Sequence, residues 1–261
     1  MSNNKRKYEL DESVWDKLTP ESAYWIGFLY GDGNCTQENK VRLQIAWNDK
    51  EHLYAFRNFI GSIDRPVKEI FMQQKWHNAA IEFRSWKVHN TIKKYGLTKR
   101  KCDRGRIPVC LLQKEVARDF IRGLFDADGS FYYDGIHKNY LVSEITGYMP
   151  TLVDVKAILV GEGVISEKKH IVKNGSVFRL RLAKGDTIKL IHYLYGNKPT
   201  YKLRRKYGMA KSYLDRLNEV TEKSEATVET KYHRPLESFN QGKIGEANER
   251  QYFSESCCCG K

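Results

Sequence analysis

Two aspartates 96 positions apart, Asp32 and Asp128, are the residues of this 261-residue chain best suited to do chemistry together. Each is followed by a glycine and ends an apolar run, AYWIGFLYGDG at 23–33 and DFIRGLFDADG at 119–129. Within those runs Gly27 and Gly31, and then Gly123 and Ala127, stand four residues apart, which places each pair on one helix face. Small residues at that spacing let two helix backbones approach closely. If the two faces pack in parallel, the C-terminal ends meet and bring Asp32 beside Asp128, where both helix dipoles also point their negative ends. Two carboxylates in such a place repel unless a cation lies with them. A hard divalent ion such as Mg²⁺ takes carboxylate, backbone carbonyl and phosphate oxygens.

The plainer alternative is an Asp-Gly turn at each position. It accounts for either stretch alone but not for the match between them. DADGS is not an EF-hand loop, because its glycine comes fourth and not sixth. Neither a P-loop nor a dinucleotide fingerprint is present, and the seven histidines have no metal-ligand spacing.

The elements that must position the acids form a repeat. The triplet Thr-Ile-Lys recurs at 91–93 and 187–189, again 96 apart. In the first half a helix begins with Thr19 as N-cap and Pro20 at its first position. VRLQIAW then alternates, with Val41, Leu43, Ile45 and Trp47 on one side. A second helix opens with Asn48 as cap and Glu51 three residues on. AAIEFRSW alternates again, and Ser85 caps a short helix that Gly96 closes. The second half follows the same order. A helix runs from about Leu111 to Ala127, with strands near 129–133 and 140–146. A helix with Pro150 at its start, the strand VFRLRLA, and a helix capped by Asp186 and stopped by Gly196 come next. The reading is α+β: two halves, each helix, two strands, helix, two strands, helix. The expected boundaries are 1–18 for an N-terminal extension, 19–107 and 108–220 for the halves, and 221–261 for a polar, flexible tail.

Lysine and arginine number 45 against 32 acids, a net charge of +13. That excess points to a polyanionic partner, nucleic acid before a membrane surface. No apolar run approaches a membrane span, and the N-terminus lacks the apolar core of a secretory signal. An intracellular protein is expected, its compartment and host genome left open. Six cysteines include no CxxC pair, and Cys257, Cys258 and Cys259 sit together in the tail. After the last helix of each half comes a basic run: 93–106 with seven basic residues and one acid, and 198–211 with six and none. Two runs at matching places imply a shared phosphate-binding duty, for which Arg204 and Arg205 are candidates. The polar strand faces carry Arg42, Gln44, Glu82, Arg84, Glu144, Thr146, Arg179 and Arg181. Arginine and glutamine match guanine and adenine edges in a major groove; the alternative is an ordinary solvated sheet.

WIGFLYGDG, Trp25–Gly33, and IRGLFDADG, Ile121–Gly129, resemble the paired signature of the LAGLIDADG homing endonucleases. The second copy is closer; the first has Tyr30 and Gly31 where the signature has Asp-Ala. The resemblance covers about residues 19–210. It implies an intron-encoded, single-chain, pseudo-twofold monomer of two αββαββα halves. Its antiparallel sheets would form a saddle over the major groove of double-stranded DNA, with the motif helices at the interface. It assigns Mg²⁺, with Mn²⁺ the expected substitute, to Asp32 and Asp128 with the backbone of Gly31 and Ala127 beside them. Staggered cuts across the minor groove follow. The family's basic residue near the metals falls on Lys99 and Lys202, whose alternative duty is backbone phosphate. An RNA maturase acting on structured intron RNA, and a DNA-binding regulator built on an inactive nuclease, stay open on the same fold. An intein-embedded form is not expected, since no splicing-domain Cys or Ser start or His-Asn end is read.

Overall fold

The computed structural model describes residues 6–35, 39–72, 75–98, 100, 104–134 and 140–232, with side chains through Lys223. The first helix, α1 (Pro20–Asp32), starts where the sequence places it. Thr19 accepts from the Ser22 amide, the Ser22 hydroxyl accepts from the Thr19 amide, and Pro20 occupies the first turn. It leads into β1 (Gly33–Cys35), β2 (Lys40–Ala46), α2 (Glu51–Phe59), β3 (Lys68–Met72), β4 (Trp76–Arg84) and α3 (Trp86–Lys94). Ser85 caps α3 by accepting from the Val88 amide at 3.0 Å. The second half gives α4 (Lys114–Asp128), β5 (Gly129–Tyr133), β6 (Leu141–Gly147), α5 (Met149–Gly161), β7 (Ile171–Asn174), β8 (Val177–Ala183) and α6 (Gly185–Tyr195). The last described helix is α7 (Arg204–Tyr232).

Both sheets are four-stranded and antiparallel with the same order, β1-β2-β4-β3 and β5-β6-β8-β7. Each half is therefore αββαββα, as read. The strand alternation sorts the side chains: Val41, Leu43, Ile45, Ile81 and Phe83 are buried in one half, Leu141, Ile145, Leu180 and Leu182 in the other. Ser143 falls on that apolar side of β6, and its hydroxyl is satisfied by the Thr187 hydroxyl at 3.1 Å. The described residues through Leu217 cluster as one compact unit, and residues 218–232, taken by themselves, are helical.

Local structure departs from the sequence reading at several points. Trp47 leaves its strand and joins a 3-10 turn, Trp47–Asp49, so α2 begins at Glu51 with no side-chain cap from Asn48. Asp186 does not cap α6 either; the helix starts at Gly185 after Lys184 at φ 52°, and the Asp186 carboxylate pairs with Lys169 at 2.7 Å. The largest departure is α7, which runs through the second basic stretch and the first part of the expected tail. Leu203, Lys206, Ala210 and Tyr213 are all buried at helical spacing, but a lysine in the stripe conceals the apolar period. Residues 233–261, with Cys257, Cys258 and Cys259, lie outside the described residues. Among the described residues no helix is long and apolar enough to cross a membrane.

His52 on α2 is buried behind α1, its Nε2 2.8 Å from the Tyr24 hydroxyl. That hydroxyl gives its only proton to Asp126 at 2.8 Å, so Nε2 must donate to it. Burial pushes the His52 pKa down from 6.5 to about 4, and the ring is neutral. The unfolded chain then binds this proton more readily than the folded one. The stability that neutral His52 contributes is full above pH 6.5 and is lost as pH falls through about 4. At most roughly 3 kcal/mol is involved. Urea titrations at several pH values should show this slope for the wild type and a flatter one for His52→Gln; equal slopes would contradict the assignment.

Candidate active site

Helices α1 and α4 are in backbone contact along their small residues. A Cβ built on Gly27 would lie 2.0 Å from the Phe120 carbonyl oxygen, and one on Gly123 2.0 Å from that of Tyr24. One on Gly31 would fall 2.1 Å from the Ala127 Cβ and 3.2 Å from the Asp128 amide nitrogen. Position 27 thus faces 120–124 and position 31 faces 127–128: the helices run parallel, and their C-terminal ends coincide. Asp32 and Asp128 end them, both half-buried. The next residue must be glycine, because a Cβ on Gly33 or Gly129 would sit 2.5 or 2.6 Å from the carbonyl oxygen of Leu29 or Phe125.

Beyond each glycine the chain enters the polar face of its sheet at once. Asn34 lies directly opposite Arg42, and Ser130 opposite Glu144. On the first sheet Arg42 donates to the Gln44 side chain at 2.6 Å. Its strand partner Glu82 sits between Lys68 at 2.6 Å and Lys40 at 2.9 Å, which hold its carboxyl down to about 2. Arg84 continues this face at the end of β4. On the second sheet Glu144 pairs across strands with Arg181, and Thr146 with Arg179. Arg179 approaches the Glu144 carboxylate at 3.8 Å, and Arg181 reaches the Tyr132 hydroxyl at 3.2 Å and Asp134 at 3.6 Å. All the predicted reading residues therefore share the two exposed faces next to the acids.

The basic residues are arranged otherwise. Lys99 lies outside the described residues. Lys202 turns away: its ammonium donates to the Pro199 carbonyl at 2.9 Å and lies 4.9 Å over the Tyr207 ring. One helical turn later, Lys206 takes the place beside the acids. Its ammonium donates to the carbonyls of Gly129 (2.5 Å), Asp126 (2.6 Å) and Phe125 (2.8 Å), with that of Ala127 at 3.3 Å, capping the negative end of α4. Burial lowers its pKa from 10.5 to about 8, against the attraction of Asp126 and, more weakly, of Asp32 and Asp128. Nothing in the basic run marks Lys206 over its neighbours. Its helical spacing from Leu203 and Ala210 is the one signal that could have found it.

Arg204 and Arg205 are committed to carboxylates of the first half, Arg204 to Glu51 at 3.2 Å and Arg205 to Asp49 at 2.9 Å. They bridge the halves, and a phosphate would have to compete with those acids. Asp126, buried on α4, accepts from Tyr195 at 2.6 Å and from Tyr24 and the Leu203 amide at 2.8 Å each. Burial pushes its carboxyl pKa up, while these donors and Lys206 oppose the shift. The chain that carries Lys206 is thereby pinned to α4. At the matching position of α1 stands Tyr30, with the Arg104 guanidinium 4.8 Å over its ring. Arg104 is itself buried, and with Asp128, Thr146 and Tyr148 it lines a cavity of about 150 Å³ between the acid and the second sheet.

No known family profile matches the sequence. A curated relative, the replication factor C small subunit of Methanocaldococcus jannaschii, is 28% identical over 160 residues. That alignment covers 60% of this chain and 8% of the relative, so this chain spans under a tenth of the relative's length. Solved structures align far more completely. The I-SmaMI LAGLIDADG homing endonuclease bound to cleaved DNA has a TM-score of 0.53 at 14% identity, over 82% of this chain and 93% of that one. The homing endonuclease I-WcaI bound to its DNA recognition sequence scores 0.52 at 12% identity, over 79% and 94%. The LAGLIDADG meganuclease I-CpaMI bound to uncleaved DNA scores 0.51 at 12% identity, over 82% and 95%. Identities this low speak for architecture alone: two αββαββα halves, joined through the small faces of α1 and α4, give this chain the LAGLIDADG homing-endonuclease fold.

Proposed function

We propose that this protein is a site-specific double-strand DNA endonuclease that hydrolyses phosphodiester bonds at a long, asymmetric target, with Mg²⁺ as cofactor and Mn²⁺ as its substitute. The observation that carries the proposal is the meeting of Asp32 and Asp128 at the shared end of α1 and α4, next to two exposed polar sheet faces. Among the described residues no cluster of three or more His, Cys, Asp or Glu could hold a metal. Two carboxylates with the Gly31 and Ala127 carbonyls fit a hard divalent ion that keeps water and takes substrate phosphate as further ligands. When bound, such ions lower the pKa of attacking water and stabilise the leaving oxygen. The chain's own residues do the rest. Lys206 neutralises the helix end and keeps a cation beside both acids. The excess positive charge attracts the duplex. Arg42 and Gln44 address one half-site, and Arg179 and Arg181 the other. Both halves reside in one chain, so a monomer can engage both strands.

The test is cleavage of a randomised plasmid library in Mg²⁺, with the cut ends sequenced. Recovery of one long site supports the reading. Selective binding without any cut would instead identify a regulator, and selective binding of folded intron RNA a maturase. For specificity, Arg179→Ala should relax one or two base positions in its own half-site only, at about 1–3 kcal/mol. An unchanged preference profile would show that this sheet face does not read bases.

A further inference from the structure

The two halves differ at their outer hairpins. In β3–β4 the large side chains Phe71, Met72 and Trp76 are 67%, 47% and 58% exposed. The strand register pairs Met72 with Trp76 and Ile70 with Asn78, and Asn78 with Ala46, which puts them on the face of Arg42 and Gln44. The connection is direct: the Gln44 side-chain amide donates to the Met72 sulfur at 3.4 Å, and that of Asn78 approaches it at 3.7 Å. The polar reading face thus runs without a break into an apolar edge.

The other side of the same hairpin is a stack. Phe71 lies on His77 at 4.5 Å and 12°, and His77 on Trp47 at 4.4 Å and 15°. The Lys50 ammonium covers Trp47 at 3.9 Å, and Glu69 holds His77 Nε2 at 2.6 Å. The strands are therefore braced from behind, and Met72 and Trp76 project from a fixed base. The corresponding face of hairpin β7–β8 carries Val172, half exposed, with Asn174 and Val177, and neither an aromatic residue nor a methionine.

Lysines flank the apolar edge, Lys68 on β3 and Lys75 with its ammonium 5.8 Å over the Trp76 ring. An apolar pair set among cations and continuous with Arg42 and Gln44 suits a polyanion that also offers apolar groups. In the major groove of DNA those groups are the thymine C5-methyls. Resting on the DNA-reading role proposed above, we propose that Met72 and Trp76 read thymine methyl groups in the outer part of the first half-site.

The test uses the full chain and binding in Ca²⁺, so that it does not depend on cutting. A preferred site is first selected from randomised duplexes, and the first half-site is identified as the one whose preference shifts in Arg42→Ala. Thymines in its outer part are then replaced by deoxyuridine, which removes only the methyl. Wild-type affinity should fall about fourfold per methyl, the size of one buried methylene's transfer. The double variant Met72→Ser, Trp76→Ser is exposed enough to leave folding intact. It should bind duplexes with thymine and with uracil in the first half-site equally. Equal wild-type binding of thymine and uracil duplexes, or a variant that keeps the wild-type ratio, overturns the inference. A wild type that selects no sequence at all overturns the DNA-reading role itself, and this inference with it.

Discussion

Asp32→Asn and Asp128→Asn should each lower cleavage by about three orders of magnitude or more while leaving target binding in Ca²⁺ nearly unchanged. Both acids terminate helices whose packing is set by Gly27, Gly31, Gly123 and Ala127, so an isosteric amide changes charge and little else. What it removes is an anionic oxygen ligand at a point where each helix already presents carbonyls. What it leaves is Lys206, still held by the carbonyls of α4. Without divalent ions both variants should bind the target more tightly than wild type, because a carboxylate that repels the nearby phosphate is gone. Gel shifts in Ca²⁺ and in chelator, with plasmid cleavage in Mg²⁺, measure the three quantities side by side. Either variant cutting at the wild-type rate would falsify the metal-site assignment.

Gly123→Ala should destabilise the protein by about 3 kcal/mol or more, at or beyond the usual upper end for overpacking. The added methyl would stand 2.0 Å from the Tyr24 carbonyl oxygen and 2.8 Å from the Phe28 amide nitrogen, both backbone atoms that no rotamer change can move. Relief requires α1 and α4 to separate, and that also parts Asp32 from Asp128. Gly208→Ala is the contrast. It lies within α7 with nothing inside 4 Å of its Cβ, so the better helix former should stabilise by about 0.5–1 kcal/mol. Urea unfolding of both variants decides the matter; a Gly123→Ala protein as stable as wild type would mean that the helix contact is looser than described.

The paired acids, the small helix faces and the strand alternation were legible because each repeats with a fixed period, and because each occurs twice. Helix α7 was not. Its buried stripe includes Lys206, and a lysine between Leu203 and Ala210 erases the apolar period that announces a helix. The same fact misdirected the choice of basic residue toward Lys202. In a run of lysines and arginines, composition locates the charge, but only the helix phase says which ammonium turns inward. Arg204 and Arg205 show the complementary difficulty: their partners, Glu51 and Asp49, lie more than 150 residues away in sequence. The caps expected from Asn48 and Asp186 gave way to tertiary contacts and a positive-φ entry, which local preference does not register.

The helix pairing also dictates an order of events at the ribosome. In α1, Tyr24 and the two glycines are buried in the finished protein, the glycines against the α4 backbone and Tyr24 against Asp126 and Arg122. The α4 residues that meet the two glycines, Phe120, Leu124 and Ala127, are translated 93–97 positions later. At typical elongation rates that is a delay of about 5–20 s. Through that interval the nascent first half presents a flat, sticky helix face with no partner of its own. Its complement in a neighbouring polysome is the same face on another copy. Rapid completion of the second half shortens the time for which that face stays uncovered.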